Sequence, residues 1–206
     1  MLIVHHLNNS RSQRILWLLE ELSLPYEIKH YQRDAVTSLA PPALLQVHPL
    51  GKSPMLEDDG RLVSESGAIV EYLCARHGAE MVPPQDSDDY TSHLELMHFA
   101  EGSAMTPILL ALYVGRLGEA GAPLQPRIDQ QLDSHFSYME QVLRPSGHFV
   151  MDRLSAADIM LSFPAEIAIK QGRGEAYPRL AAFVAEMHAR PAYRRALKTG
   201  GDYAFS

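Results

Sequence analysis

Two short stretches carry the residue types that could bind and activate a small charged ligand. At Glu65-Ser66 a carboxylate and a hydroxyl stand just ahead of Ala68, Ile69, Tyr72 and Leu73, whose spacing of three and four residues marks one apolar helical face. A helix therefore starts near Ser66. Its first N–H groups have no internal partners and add to the helix dipole, so that end attracts a carboxylate or phosphate. Glu65 sets a negative charge beside the same spot. A ligand suited to both carries a carboxylate and an ammonium close together, as the α-amino-acid end of a peptide does. The same two residues would also serve simply as a helix cap and a carboxylate complementing the dipole. The second stretch is the turn His6-Leu-Asn-Asn-Ser10, which leads into a helix with Ile15, Leu18, Leu19 and Leu22 on one face. A serine hydroxyl there can donate to a negative charge that the dipole also favours. Ser10-Arg-Ser-Gln13 has capping-box spacing as well, which is the purely structural account of Ser10.

These stretches need elements to position them. Leu2-Ile3-Val4 reads as a short buried strand, and Tyr26 to Tyr31 alternates as a second, parallel to the first if the helix between them is a crossover. Pro41-Pro42 starts a short helix through Leu44-Leu45. Pro54 opens a strand to Glu57, where it removes no interior ladder bond, and Asp59-Gly60 supplies a type I′ turn to the returning strand Leu62-Val63. The order is βαβαββα, that of a thioredoxin-like α/β domain, with its ligand site at the carboxyl ends of the parallel strands.

The predicted division is 1–78 for this domain, 79–87 for a Gly- and Pro-containing linker, and 88–206 for an all-α helical bundle. A helical period runs from Asp88 to Leu117, with Pro107 expected to kink or divide it. Pro123 to Leu143 is the next helix. Ser155 and Asp158 form a capping box ahead of a segment apolar nearly all round, which must be a buried helix. Tyr177–His188 and Pro191–Lys198 close the bundle, and the tail from Asp202 is expected to be mobile.

Bulk composition narrows the partners. At 206 residues, 46% hydrophobic and 21% charged, the chain is ordinary for a globular protein of two modest domains. A net charge of −7 without a Lys/Arg run argues against nucleic acid or an acidic membrane surface and favours a small molecule. The N-terminus lacks a signal-peptide pattern and no apolar run approaches the roughly 20 residues that span a bilayer, so a cytoplasmic location is expected. The single cysteine, Cys74, excludes an internal disulfide and a redox pair, and is expected to be buried. The histidines show no metal-ligand spacing, so no metal is expected.

Gly51-Lys-Ser-Pro54, a hairpin and Glu65-Ser66 opening a helix resemble, in that order, the glutathione-binding half of the cytosolic glutathione S-transferases. Asn8-Asn-Ser-Arg-Ser-Gln-Arg14 looks like the catalytic loop of their serine-type bacterial and fungal branch, and neither Tyr nor Cys occurs between Met1 and Leu24 to serve the other branches. The resemblance implies a cis Ser53–Pro54 bond, with Ser53 where an apolar residue is more usual. It also implies that Lys52, Ser53, Pro54, Glu65 and Ser66 hold glutathione as co-substrate, Glu65-Ser66 taking the γ-glutamyl end. Ser10 matches the catalytic serine, with capping alone, or Asn9, as the alternative. Leu7, Met105, Leu109 and Tyr113 are the candidate wall for a small hydrophobic electrophile, and the two long helices match the family's homodimer interface. The implied activity is detoxifying conjugation through an activated thiolate. A glutathione-dependent peroxidase or reductase, or a catalytically silent binding or regulatory protein, are the alternatives. The same capping box opens the core helix of the family's second domain, which makes Asp158 structural.

Overall fold

In the computed structural model, which describes all residues Met1–Ser206, the first strand is longer than its apolar start: β1 spans Leu2–Leu7. It is followed by α1 (Ser12–Glu21), β2 (Tyr26–Tyr31), a 3-10 turn at Pro42–Gln46, β3 (Met55–Asp58), β4 (Arg61–Ser64) and α2 (Ser66–His77). The second helix of the expected order is thus only a short 3-10 turn. Pro49 disfavours helical backbone at His48 and limits its length. The sheet order is β2-β1-β3-β4, with β1 and β2 parallel and both later pairings antiparallel. This is the mixed sheet of a thioredoxin-like domain. Asp59 and Gly60 adopt φ of 47° and 83°, the positive values that a type I′ turn demands.

The chain forms two compact units, one of Met1–Glu80 with Met187–Ser206 and one of Met81–Glu186. The first therefore takes in the last helix, α8 (Pro191–Gly200), whereas the division from sequence placed all residues after 88 together. The reason lies in α1. Beyond Ile15, Leu18 and Leu19, its Leu16 and Trp17 are also fully buried, because α8 covers the face that periodicity leaves to solvent. Trp17 meets Tyr193 edge to face at 5.4 Å and donates from Nε1 to Glu21 at 2.8 Å, while Arg190 Nε donates to the same carboxylate at 2.6 Å. Glu20 accepts from Arg195 at 2.7 Å and from the Tyr26 hydroxyl at 2.8 Å. The tail is not the mobile end expected: Tyr203 is buried and the Ala204 N–H donates to Asn9 Oδ1 at 2.7 Å.

The second unit is helical: α3 (Asp89–Phe99), α4 (Met105–Gly115), α5 (Gln125–Val142), α6 (Ala156–Lys170) and α7 (Pro178–Ala189), the last reaching the boundary. Pro107 lies inside α4, and the division comes just before it as a π-helical turn at Ala100–Ala104. A proline cannot donate to the carbonyl four residues back, so the turn widens there. In α6 every residue from Ala156 to Ala168 is buried. Its capping box forms: Asp158 accepts from the Ser155 N–H at 2.7 Å and the Ser155 hydroxyl at 2.6 Å, and its other oxygen takes the Phe149 N–H at 2.9 Å. No helix is long and apolar enough to cross a membrane.

Candidate active site

The sheet register brings three loops to one end of the first unit. His5 of β1 pairs with Met55 of β3, which pairs with Ser64 of β4. The Leu7–Ser12 loop leaves β1 at that end, Ser53-Pro54 enters β3 there, and β4 delivers Glu65-Ser66 there. The Ser53–Pro54 bond is cis. Pro54 has no N–H to continue the ladder. Ser53 fills in with its side chain, donating to the His5 carbonyl at 2.7 Å and accepting from the Leu7 N–H at 3.2 Å. The Ser53 hydroxyl, where the resemblance implies an apolar residue is more usual, is therefore tied to β1. Pro54 is buried and Lys52 exposed.

Glu65 stands before α2 with φ 70° and ψ 128°, a rarely populated region for a residue with a Cβ, of the kind that recurs at ligand-binding positions. Its carboxylate is exposed and has no hydrogen-bonding partner in the protein. Ser66 is not the cap but the first residue of α2, and no side chain caps this end. The first ladder bond runs from the Ile69 N–H to the Glu65 carbonyl at 2.9 Å, so the N–H groups of Ser66, Gly67 and Ala68 precede it. A free carboxylate beside uncapped N–H groups suits a zwitterionic amino-acid end, and the capping account of this pair does not hold.

Ser10 is 5% exposed, and its capping box with Gln13 does not form. The Ser10 hydroxyl donates to the Leu7 carbonyl at 2.7 Å, lies 2.7 Å from Ser12 Oγ and accepts from the Ser12 N–H at 3.2 Å. Gln13 is buried with neither side-chain polar atom bonded in the protein. Ser12 Oγ lies 2.8 Å from Nδ1 of His6, which is buried on β1. Burial, with His30 nearby, pushes the His6 imidazole down to about 4 against a weaker opposing hydrogen bond to the Gly200 backbone, so the ring is neutral at neutral pH. His5 serves the opposite face of the strand, bonding the Tyr31 hydroxyl at 2.9 Å and Glu57 at 2.7 Å.

The sequence showed His5-His6 only as an adjacent pair and Ser12 only as a polar neighbour. Alternation along a strand continuing through Leu7 would have sent the two rings to opposite faces. Of the apolar candidates, Leu7 belongs to the first unit's core with Leu44 and Met55, and Met105 is buried in the second unit. Leu109 is half-buried and Tyr113 is 56% exposed. Cys74 is buried, and burial pushes its thiol up to about 12, which leaves it inert as a nucleophile.

Comparison with known proteins points to one family. Residues 1–75 match the family described as "Glutathione S-transferase, N-terminal domain", and residues 117–198 the one described as "Glutathione S-transferase, C-terminal domain". The chain is 37% identical over 179 residues to Glutathione S-transferase 3 of Schizosaccharomyces pombe, covering 80% of this chain and 73% of that one. It is 30% identical over 214 residues to Glutathione S-transferase 1 of Saccharomyces cerevisiae, covering 92% and 91%. Among solved structures, a glutathione S-transferase from Actinobacillus pleuropneumoniae superposes with a TM-score of 0.89 at 30% identity, covering 99% of this chain and 94% of that one.

Proposed function

The chain belongs to the glutathione S-transferase family, and we propose that it binds glutathione at this end of the sheet, holds it as the thiolate and joins it to small apolar electrophiles. The observation that carries the reading is the register His5–Met55–Ser64, which gathers the Ser10 loop, the cis Ser53–Pro54 bond and the uncapped Glu65-Ser66 turn. Glu65 takes the ammonium of the γ-glutamyl end, and the hydroxyl and N–H of Ser66 take its carboxylate. The backbone of Ser53, held by the Pro54 bond, pairs with the cysteinyl part, while Lys52 lies exposed beside it.

A free thiol titrates near 8.5, so most of it is un-ionised at neutral pH. Lowering that by about two units takes about 2.7 kcal/mol. The Ser10 hydroxyl proton that reaches the Leu7 carbonyl turns to the sulfur, where the acceptor is charged and the bond correspondingly stronger. The start of α1 adds its dipole. The thiolate then attacks the electrophilic carbon: a C–S bond forms with the sulfur lone pair, and the leaving group departs with the electrons of its bond. We also propose a homodimer in solution through the long helices of the second unit, supported by exposed Leu110 and Leu112 and tested by sedimentation equilibrium.

The test is a panel of aryl halides, epoxides and hydroperoxides with glutathione. The expected result is a thioether product formed one-for-one with glutathione consumed. Turnover of hydroperoxides alone, with disulfide as product, would replace conjugation by a peroxidase, and no turnover with any class would leave a binding protein.

A further inference from the structure

Arg33 has no place in the reaction so far, yet its backbone and side chain both grip the turn that carries Ser10. Only Asn8 and Asn9 separate Leu7, the last residue of β1, from Ser10. The Asn8 N–H donates to the Tyr31 carbonyl at 3.2 Å, which carries the contact of β1 with β2 one residue past the sheet. Arg33 takes over from there. Its own N–H donates to Asn8 Oδ1 at 2.8 Å, its Nε to the Asn8 carbonyl at 3.1 Å and its Nη2 to the Asn9 carbonyl at 3.3 Å. Asn9 holds φ 51°, a left-handed backbone between β1 and α1 that asparagine tolerates better than most residues.

The far end of the guanidinium is anchored as well. Nη1 donates to the Ser38 carbonyl at 3.0 Å, and Ser38 belongs to a turn that Asp34 holds. The Asp34 carboxylate accepts from the Val36 N–H at 3.1 Å and from the N–H and hydroxyl of Thr37 at 2.7 and 2.8 Å, while the Asp34 carbonyl takes the Ser38 N–H at 2.8 Å. The guanidinium thus spans carbonyls from two separate segments, which suits a planar cation with its donors at fixed angles. Its permanent charge makes each of these bonds stronger than a neutral donor would.

We infer that Arg33 is a positioning residue for thiolate formation, acting through Ser10, an inference that rests on the reading of Ser10 above. The Ser10 hydroxyl has to turn from the Leu7 carbonyl to the sulfur, and where it stands for that is set by Asn8 and Asn9. A hydrogen bond weakens steeply as its angle closes, so a turn free to shift loses the bond to sulfur while the fold survives. The brace governs how well the thiolate is held rather than whether glutathione binds, because Ser53 and Glu65-Ser66 stand on other loops.

The experiment titrates the thiolate absorbance of bound glutathione against pH in Arg33→Ala, Arg33→Lys, Ser10→Ala and the double variant Ser10→Ala/Arg33→Ala, with kcat and KM for glutathione in parallel. In Arg33→Ala the bound thiol should titrate about one unit higher and kcat near neutral pH should fall about tenfold, with KM moving less than about twofold. Lysine keeps the charge but cannot span the carbonyls, so Arg33→Lys should match alanine, and it serves if the alanine variant does not fold. On top of Ser10→Ala, Arg33→Ala should add less than about 0.3 units, since a residue acting through another has nothing left to act on. An unmoved titration in Arg33→Ala leaves Arg33 a brace for the fold alone and overturns the inference. So does a lysine variant that titrates like the unaltered protein, or a full further shift in the double variant, since either means that the charge acts on the sulfur without Ser10. If Ser10→Ala itself leaves the thiol unmoved, the parent reading falls, and this one with it.

Discussion

Asn9 Oδ1 accepts the Ala204 N–H at 2.7 Å, so the last residues of the chain are tied to the loop that carries Ser10. Asn9 holds φ 51°, and its own carbonyl accepts from Arg33 at 3.3 Å, so the loop is fixed from two directions. Removing residues 202–206 should speed hydrogen exchange at the amides of residues 8–12 by about tenfold, equal to roughly 1.4 kcal/mol of local stability. Exchange by mass spectrometry checks this, and unchanged protection would mean that the tail rests on the loop without holding it.

The strained backbone at Glu65 separates binding from folding. Relief of a positive-φ strain is worth about 1–3 kcal/mol, less about 0.5–1 kcal/mol for the freedom that glycine adds to the unfolded chain. Glu65→Gly should therefore be about 1 kcal/mol more stable than Glu65→Ala in denaturant titration. Both should lose most of the stabilisation that glutathione gives, which for the unaltered protein is about 2.7 kcal/mol at a hundredfold excess over Kd.

Asp158 is fully buried and spends its oxygens on the Ser155 N–H and hydroxyl and on the Phe149 N–H. Asp158→Ala should cost about 2–4 kcal/mol, the lost box plus a buried N–H left unpaired. Turnover per folded molecule should not change. Intact stability with lost turnover would make Asp158 part of the chemistry.

The His6 imidazole, held down to about 4 by burial and by His30, makes stability depend on acid. Between about 6.5 and 4 the unfolded chain binds a proton there that the folded chain does not, so stability falls as pH drops through that window. The total is about 3 kcal/mol, and the stability is fully present above pH 6.5. His93, lowered by burial, acts in the same direction. Urea titrations of the ligand-free protein from pH 7 to 4 should show the slope, and His6→Asn should remove most of it.

What was legible in the sequence was local. Asp59-Gly60 and Ser155 to Asp158 act within a few residues, and the structure has the predicted turn and box. Ser10 to Gln13 has equally good spacing, yet no box forms there. The Ser10 hydroxyl is taken by Leu7 and Ser12, and Ser12 Oγ lies 2.8 Å from Nδ1 of His6 on the strand before the loop. Leu16 and Trp17 likewise owe their burial to α8, and the ordered tail owes its order to Asn9. No periodicity within α1 or the tail could show either contact. Pro107 correctly marked a disruption, which the fold resolves as a π turn a few residues earlier.

Whether the Ser10 hydroxyl stabilises the glutathione thiolate is decided by the absorbance of that thiolate, titrated against pH in the unaltered protein and in Ser10→Ala. A hydrogen bond to a charged group is worth roughly 1.5–3 kcal/mol, so the bound thiol of Ser10→Ala should titrate about one to two units higher, with turnover at neutral pH falling in step. A bound thiol that titrates in Ser10→Ala where it does in the unaltered protein would contradict this and pass the role to Asn9 or Ser12, neighbouring polar side chains on the loop.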